Sequence, residues 1–268
     1  MLGSDVVSAS GDMLTEDRAD WDELWKSSPI DMAAVLDEER TPRWHQIESF
    51  MESRLGGFPG LRVVEIGSGH GTNAIHFARR GSSTAVLDSS ETALAGAMDA
   101  ARQANVIVEP ILGDALAPSP ELVGAFDVAC SFGLCEHFTG SDRQAIVAAH
   151  LDLVHEGGVA IISVPNRRSF PYRLWMSILK ARGSWLLGTE VPFDSGELVS
   201  KFRAAGAKVA HVGFGSFAAT AIGYGINPVL HNAGRKGIRR LQFRTPLDPF
   251  AYELLVIAVK PRSTAPRD

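Results

Sequence analysis

The sequence predicts an α/β fold of the doubly wound kind, a mostly parallel sheet with helices on both faces. Two observations indicate this fold. From Leu61 onward, short apolar runs alternate with segments of helical periodicity. The runs lack the alternating polarity of strands that have one face in water, which is typical of strands buried on both faces. The composition agrees, since 45% of the 268 residues are hydrophobic and 21% are charged, as in ordinary globular domains.

The first half of the sheet follows directly from local signals. A strand over 61–66 passes through a glycine cluster into a helix over 72–80, which Gly81 is suited to end. A second strand over 84–88 precedes a helix that Ser90 can cap. The third and fourth strands are predicted over 106–112 and 126–131.

Two capping boxes are expected in the second half, each a short polar residue followed three positions later by Gln or Glu. Ser141 and Gln144 would begin the helix before the fifth strand, and Asp194 and Glu197 the helix before the sixth. No helical segment separates the last two strands, so we expect them to pair antiparallel at one edge of the sheet. The last three strands are predicted over 159–164, 207–214 and 253–259.

The chain divides into a predicted tail, a cap and a main domain. Residues 1–15 form an acidic tail, residues 16–58 a tryptophan-rich helical cap, and residues 59–262 the sheet domain. Segments 166–193 and 216–251 are longer than connections within the sheet need to be. Such long insertions favour a role as lids or binding elements.

Charge and cysteine content exclude several classes of protein. A net charge of −5 argues against a general nucleic-acid-binding protein. Cys130 and Cys135 cannot build a disulfide scaffold or a four-thiolate zinc site, and we expect reduced thiols in a cytoplasmic protein.

The histidines show no ligand spacing, so no metal is predicted. The N-terminal residues do not resemble a signal peptide, and no apolar run approaches the roughly 20 residues of a membrane span.

The turn after the first strand carries the main functional signal. In VVEIGSGHG, Gly67 permits a tight turn, Gly69 lets a ligand approach the backbone, and Gly71 lets the helix pack closely on the strand. Asp88 ends the next strand, where a carboxylate can accept both hydroxyls of a ribose; the alternative is that it caps the following helix. Asp114 follows the third strand and could accept from an adenine amine, or could belong to a simple surface turn.

Five stretches together resemble the motifs of class I S-adenosylmethionine-dependent methyltransferases. They are VVEIGSGHG, AVLDSS, LGDAL, FDVACSFGLCEHF and HEGGVAIISVPN, which span about residues 60–166. The resemblance implies S-adenosylmethionine as cofactor and a Rossmann-like sheet of seven strands in the order 3-2-1-4-5-7-6, the last strand antiparallel. It also implies methyl transfer to an O, N or C atom of a small or lipid-like acceptor, for example in specialised metabolism.

The resemblance assigns roles position by position. Glu65 is implied to support the methionine amino group of the cofactor, and Asp88 to hold the ribose. Ser131 and Phe132 are implied to end the fourth strand beneath the methionine moiety. His70 departs from the small residues common in this turn and receives no role. The remaining implied cofactor contacts are Gly67, Ser68, Gly69, Gly71, Ser89, Asp114 and Ala115.

Two alternative functions come from other classes. A nicotinamide-dependent dehydrogenase would use the spacing GxGxxG and a hydride relay such as a tyrosine–lysine pair, whereas this chain has GxGxG and no such pair. The other alternative is a cofactor-binding protein that has lost catalysis, or an interaction module; the intact glycine turn and strand-end acid argue against the first of these. The sequence does not predict the oligomeric state.

His137 is the candidate base, since a hydroxyl acceptor must lose a proton and this histidine follows the fourth strand on the transfer side. Glu136 beside it could orient the ring or charge the site. The alternative is that this pair is structural, with His137 bonded to the backbone.

The acceptor site is predicted around residues 167–182, which carry five basic residues and no acid. Leu174, Trp175, Ile178 and Leu179 form a helical stripe there. The segment can be a core-facing lid, can line the acceptor pocket, or can lie on a membrane or an anionic lipid. The candidate acceptor contacts are Tyr172, Trp175 and Tyr224, and a second basic run, from Arg235 to Arg244, could hold an anionic group.

Overall fold

Seven strands form one sheet in the computed structural model, which describes residues 21–28, 30–226 and 243–262. The predicted tail 1–15 and most of the second basic run lie outside these residues. The strands are β1 Arg62–Ile66, β2 Ser83–Asp88, β3 Glu109–Leu112, β4 Phe126–Phe132, β5 Val154–Pro165, β6 Lys208–Phe214 and β7 Glu253–Val259.

The sheet has the order β3-β2-β1-β4-β5-β7-β6. Strands β1 to β5 pair in parallel, and β7 runs antiparallel to both β5 and β6. The predicted order, the antiparallel last strand and the edge position of β6 are therefore confirmed. β3 is shorter than predicted because its pairing with β2 begins only at Glu109.

Helices cover both faces of the sheet. A first helix, α1, spans residues 21–27. The others are α2 Met32–Asp37, α3 Pro42–Leu55, α4 Thr72–Arg79, α5 Glu91–Gln103, α6 Asp142–Leu153, α7 Phe170–Ala181, α8 Ser195–Ala204 and α9 Phe217–Thr220. None of these described helices combines the length and the apolar character that crossing a membrane requires.

The helix ends show which of the predicted capping interactions form. The Ser90 hydroxyl accepts from the Ala93 amide at 3.0 Å and so caps α5, as predicted. Asp194 caps α8 through the Gly196 amide. The capping box predicted at Ser141 is wrong, because this residue has helical backbone angles and its side chain makes no cap hydrogen bond. Glu197 does not close the other box but pairs with Arg143 and Arg167.

Helix α3 fixes the N-terminal cap to the sheet domain. Thr41 caps it, Pro42 occupies its first turn, and Gly56 ends it in the left-handed conformation. Trp44 and Ile47 are fully buried in a cluster that includes Phe77 on α4 and residues of β4, β5 and β7. The cap is thus part of the core on one face of the sheet.

Candidate functional site

The carboxyl ends of the parallel strands lie side by side along one end of the sheet, and β1 is the central strand there. Its neighbours are β2, which leads toward β3, and β4, which leads toward β5. The chain direction across the sheet therefore reverses at β1. In open α/β sheets, ligands bind in the crevice at this reversal.

The glycine turn after β1 has the backbone that the sequence predicts. Gly67, Gly69 and Gly71 have φ values of 58°, 51° and 65°, in the region that side chains disfavour. A Cβ on Gly71 would lie 3.1 Å from the Cβ of Ala97, so this glycine lets α4 approach α5 closely. The Ser68 hydroxyl is buried and has no hydrogen-bond partner among the described residues, so it is available to a ligand.

Asp88 braces this turn. One of its carboxylate oxygens accepts from the Gly69 amide at 3.1 Å and the other from the Ser90 amide at 3.0 Å. Since Ser90 itself caps α5, Asp88 is not needed as the cap of that helix. Burial raises the pKa of Asp88, and the nearby Asp22 carboxylate raises it further. The half-buried carboxylate lies at the mouth of the crevice, and no basic side chain pairs with it in the described part of the chain.

Glu65 lies buried beneath the turn. Its oxygens accept from the Asn73 side chain at 3.0 Å and the Ala74 amide at 2.7 Å. Burial raises the pKa of Glu65 to about 7, although these hydrogen bonds and Arg43 act in the opposite direction. The Trp44 indole donates to the same Asn73 at 3.1 Å, so the N-terminal cap is tied to the floor of the site.

Helix α1 covers the glycine turn. A Cβ on Gly69 would lie 2.5 Å from the Trp25 ring, and the Trp25 and His70 ring centroids are 4.9 Å apart. Asp22 accepts a hydrogen bond from the Ser90 hydroxyl. The sequence identified the tryptophans of the cap but gave no signal for their partners, because these contacts join residues far apart in the chain.

The polar residues that follow β2 and β3 are accessible. Ser89 and Asp114 are exposed, and Ala115 is half-buried beneath them in the apolar layer. One Asp114 oxygen accepts from the Leu116 amide at 2.8 Å. The ends of β1, β2 and β3 thus present Glu65, Asp88 and Asp114 in spatial order along the edge.

Ser131 and Phe132 end β4 with different surroundings. The Ser131 hydroxyl is fully buried and donates to His150 Nε2 at 2.9 Å, while His150 Nδ1 donates to the Ile146 carbonyl. Any contact between Ser131 and a ligand would therefore come from its backbone. Phe132 is half-buried, with the Arg43 guanidinium 4.6 Å from its ring centroid.

The predicted pair Glu136 and His137 lies in a short turn after β4. His137 Nδ1 donates to the Thr189 carbonyl at 2.8 Å, and the Trp21 ring packs edge-on at 4.8 Å. Glu136 is buried, and its Oε2 has no hydrogen-bond partner in the described part of the chain. Burial raises the pKa of Glu136 to about 8, and the neighbouring Glu190 adds to this effect.

The three candidate acceptor contacts meet in one aromatic cluster. Tyr224 lies 5.0 Å from Tyr172 and 5.2 Å from Trp175 between ring centroids, so the two long insertions touch. Tyr252 at the start of β7 joins them. Tyr172 is fully buried and its hydroxyl donates to Glu190. Of the predicted stripe on α7, Trp175 and Leu179 are half-buried, whereas Leu174 and Ile178 are exposed, so the expectation of a core-facing stripe is wrong for these two.

The crevice fits the cofactor that the sequence implied. A cradle of three glycines, an unpartnered buried hydroxyl at Ser68 and accessible carboxylates suit an elongated ligand that carries hydroxyl groups and positive charge. Burial raises the pKa of both Glu65 and Asp88. A positively charged ligand group beside them would oppose this rise in pKa, whereas an anionic group would add to it.

Comparison with known proteins agrees with this geometry. Residues 63–158 match the family described as a methyltransferase domain. The ubiquinone biosynthesis O-methyltransferase of Acinetobacter baumannii is 33% identical over 135 residues, which cover 48% of this chain and 55% of that protein. The chain therefore spans about half the length of the curated relatives it matches.

Two solved structures share the fold at low identity. Magnesium protoporphyrin IX methyltransferase from Synechocystis PCC 6803, with bound SAH, superimposes with a TM-score of 0.58 at 16% identity and covers 90% of this chain and 93% of its own. The 1,6-didemethyltoxoflavin-N1-methyltransferase of Burkholderia thailandensis gives 0.55 at 15% identity, covering 93% and 86%. The matched domain, the strand order and the glycine turn with its acids lead to one assignment. Residues 63–158 carry a methyltransferase domain, and the described part of the chain has the fold of these methyltransferase structures.

Proposed function

We propose that this chain transfers a methyl group from S-adenosylmethionine to a small or lipid-like acceptor. The observation that carries the proposal is the braced glycine turn, in which Asp88 accepts from the Gly69 amide beside the unpartnered Ser68 hydroxyl. The curated relatives are named for O-methylation in ubiquinone biosynthesis, which favours a hydroxyl acceptor. A dehydrogenase is not favoured, because the matched domain is a methyltransferase domain.

When bound, S-adenosylmethionine supplies a methyl group on a sulfonium, which a nucleophile displaces in line. The chain's own contribution is mainly positioning and the exclusion of water. The glycine turn, Glu65 and Asp88 would hold the cofactor, and the Trp25 ring lies against Gly69 in this turn. Asp114 and Ser89 extend the binding surface along the edge of the sheet.

His137 is proposed as the base for a hydroxyl acceptor. Because its Nδ1–H donates to the Thr189 carbonyl, the neutral ring carries its lone pair on Nε2, the nitrogen that would take the acceptor's proton. Glu136 is not exposed to such an acceptor, so we assign it no proton transfer and treat it as a buried carboxyl group near the site.

The Asp88→Ala variant tests the cofactor part of the proposal. We expect it to weaken the binding of S-adenosylhomocysteine by about 2–3 kcal/mol, because it deletes charge-assisted hydrogen bonds to ligand hydroxyls and removes the brace on Gly69. Isothermal titration calorimetry with S-adenosylmethionine, S-adenosylhomocysteine and NAD measures this. Asp99→Ala, on the outer surface of α5, serves as the matched control. Tight binding of NAD with no response to either sulfur compound would refute the proposal.

The His137→Ala variant tests the catalytic part. For a hydroxyl acceptor, kcat is expected to fall by roughly 10²–10⁴-fold while the affinity for S-adenosylhomocysteine stays unchanged; for an amine acceptor the loss is small. His155→Ala, whose ring pairs with Asp127 near the start of β4, controls for loss of a surface histidine. Acceptors can be found by mass spectrometry of co-purified small molecules. If cofactor affinity falls as far as kcat, His137 is structural.

A further inference from the structure

Helix α7 presents an apolar side to solvent. Phe170, Leu174 and Ile178 are 61%, 64% and 40% exposed, and Leu186 beyond the helix is 77% exposed. Their spacing of four residues places the three helical side chains on one side. Large apolar side chains are commonly exposed one at a time, whereas a group of them marks an interaction site. This side of α7 therefore indicates a binding surface.

The opposite side of α7 is fixed to the protein. Tyr172 is buried against Tyr252, with ring centroids 4.5 Å apart, and Trp175 packs on Tyr224. Because these contacts occupy the inward side, the helix cannot rotate to bury Leu174 and Ile178 without breaking the aromatic cluster. The exposed side is therefore a stable feature of the fold.

The same segment is a basic patch in an acidic chain. Its five basic residues are all exposed, and no acidic residue occurs between Asn166 and Thr189, although the whole chain has a net charge of −5. Arg167 is paired with Glu197. Arg168 also precedes the helix, Arg173 and Lys180 lie on it, and Arg182 follows it. The five are Arg167, Arg168, Arg173, Lys180 and Arg182.

We propose that α7 docks this protein on an anionic phospholipid surface, with Phe170, Leu174 and Ile178 inserted at the headgroup boundary and the basic side chains on the lipid phosphates. An exposed apolar stripe flanked by Arg and Lys is the composition of helices that lie in the membrane interface. A second copy of the chain is disfavoured, because a symmetric contact through this side would bring the basic side chains of the two copies against each other.

Docking through α7 would also orient the candidate cofactor crevice relative to the lipid surface. Helix α7 follows the carboxyl end of β5, the same end of the sheet at which the glycine turn and Asp88 lie. A docked protein would turn this edge toward the lipid. Docking itself does not depend on the proposed methyl transfer and can be measured without cofactor or acceptor.

Co-sedimentation of the full chain with vesicles tests the proposal. We expect binding to vesicles of phosphatidylcholine mixed with phosphatidylglycerol, little binding to phosphatidylcholine alone, and weakening as salt rises. Leu174→Glu and Ile178→Glu should each lower the affinity for the anionic vesicles by about tenfold or more. Ile107→Glu, the same change at a side chain that is 90% exposed before β3, is the matched control and should bind like the wild type.

The outcomes separate the possible occupants of this side. Retained binding in both glutamate variants, or no binding by the wild type at low salt, overturns the proposal. The proposal is equally overturned if the wild type does not bind vesicles and light scattering shows a dimer that Leu174→Glu dissociates. The apolar side of α7 would then contact a second copy of the chain. Thermal melting of each variant confirms the fold, and two independent positions guard against a variant that fails to fold.

Discussion

Replacing Arg43 by methionine is expected to lower the free energy of unfolding by about 3–5 kcal/mol, the usual cost of removing one partner from a buried ion pair. The Arg43 guanidinium is buried where α3 meets the sheet, and it donates to both Glu38 and Glu253. Without it, two largely buried carboxylates lose their countercharge. Burial already raises the pKa of Glu38, and Arg43 opposes this rise. Without Arg43, burying the ionised Glu38 side chain would cost more free energy.

Urea unfolding at neutral pH measures this effect. Arg102→Met is the matched control, because Arg102 pairs with Asp99 on the exposed side of α5, and exposed pairs contribute about 0–1 kcal/mol. Adding Glu253→Gln to Arg43→Met should restore part of the stability, since one of the stranded charges is then removed. A loss below about 1 kcal/mol for Arg43→Met would show that water reaches these carboxylates.

The Arg43 network illustrates what the sequence could not reveal. Arg43 and Glu253 are separated by 210 residues, and neither belongs to a motif. The pairing arises only because α3 packs across the face of the sheet near β5 and β7. In contrast, the turn from β1 into α4 and the cap at Ser90 depend on neighbours in the chain, so their residues predict them directly.

Helix α7 shows a second limit of sequence reasoning. Its periodicity correctly predicts a helix with an apolar stripe, but periodicity cannot say whether the stripe meets the core or solvent. Here the aromatic residues Tyr172 and Trp175 take the inward side, and Leu174 and Ile178 remain outside. Similarly, Ser141 has the residue pattern of a capping box, but the helical backbone at that position prevents the bond.

The second large effect is expected for Glu136→Gln, which should stabilise the protein in alkaline solution. Glu136 is buried without a partner for its Oε2 among the described residues, and its neighbours Glu190 and Arg143 act on it in opposite directions. Burial raises the folded-state pKa of Glu136 to about 8, from a value of 4.5 for a free side chain. A neutral glutamine of similar shape avoids this cost.

The sign of the pH dependence follows from the two pKa values. For an acid whose pKa is higher in the folded state, the unfolded chain releases its proton first, so stability is lost as pH rises from about 4.5 and the loss is complete above about 8. Each pKa unit between the two states corresponds to about 1.4 kcal/mol, which gives a penalty of roughly 3–5 kcal/mol at pH 9. Near pH 4.5 the wild type and Glu136→Gln should have nearly equal stability.

Unfolding of both proteins at pH 5, 7 and 9 separates this explanation from a general packing effect. Glu65, another buried carboxyl, titrates in both proteins, so its contribution cancels in the difference. Glu109→Gln, at an exposed position of β3, should leave stability nearly unchanged at every pH. A gain from Glu136→Gln that is the same at pH 5 and pH 9 would mean that the glutamine packs better and that Glu136 carries no buried charge. A gain that grows with pH identifies the cost of holding this carboxylate beside the candidate transfer site.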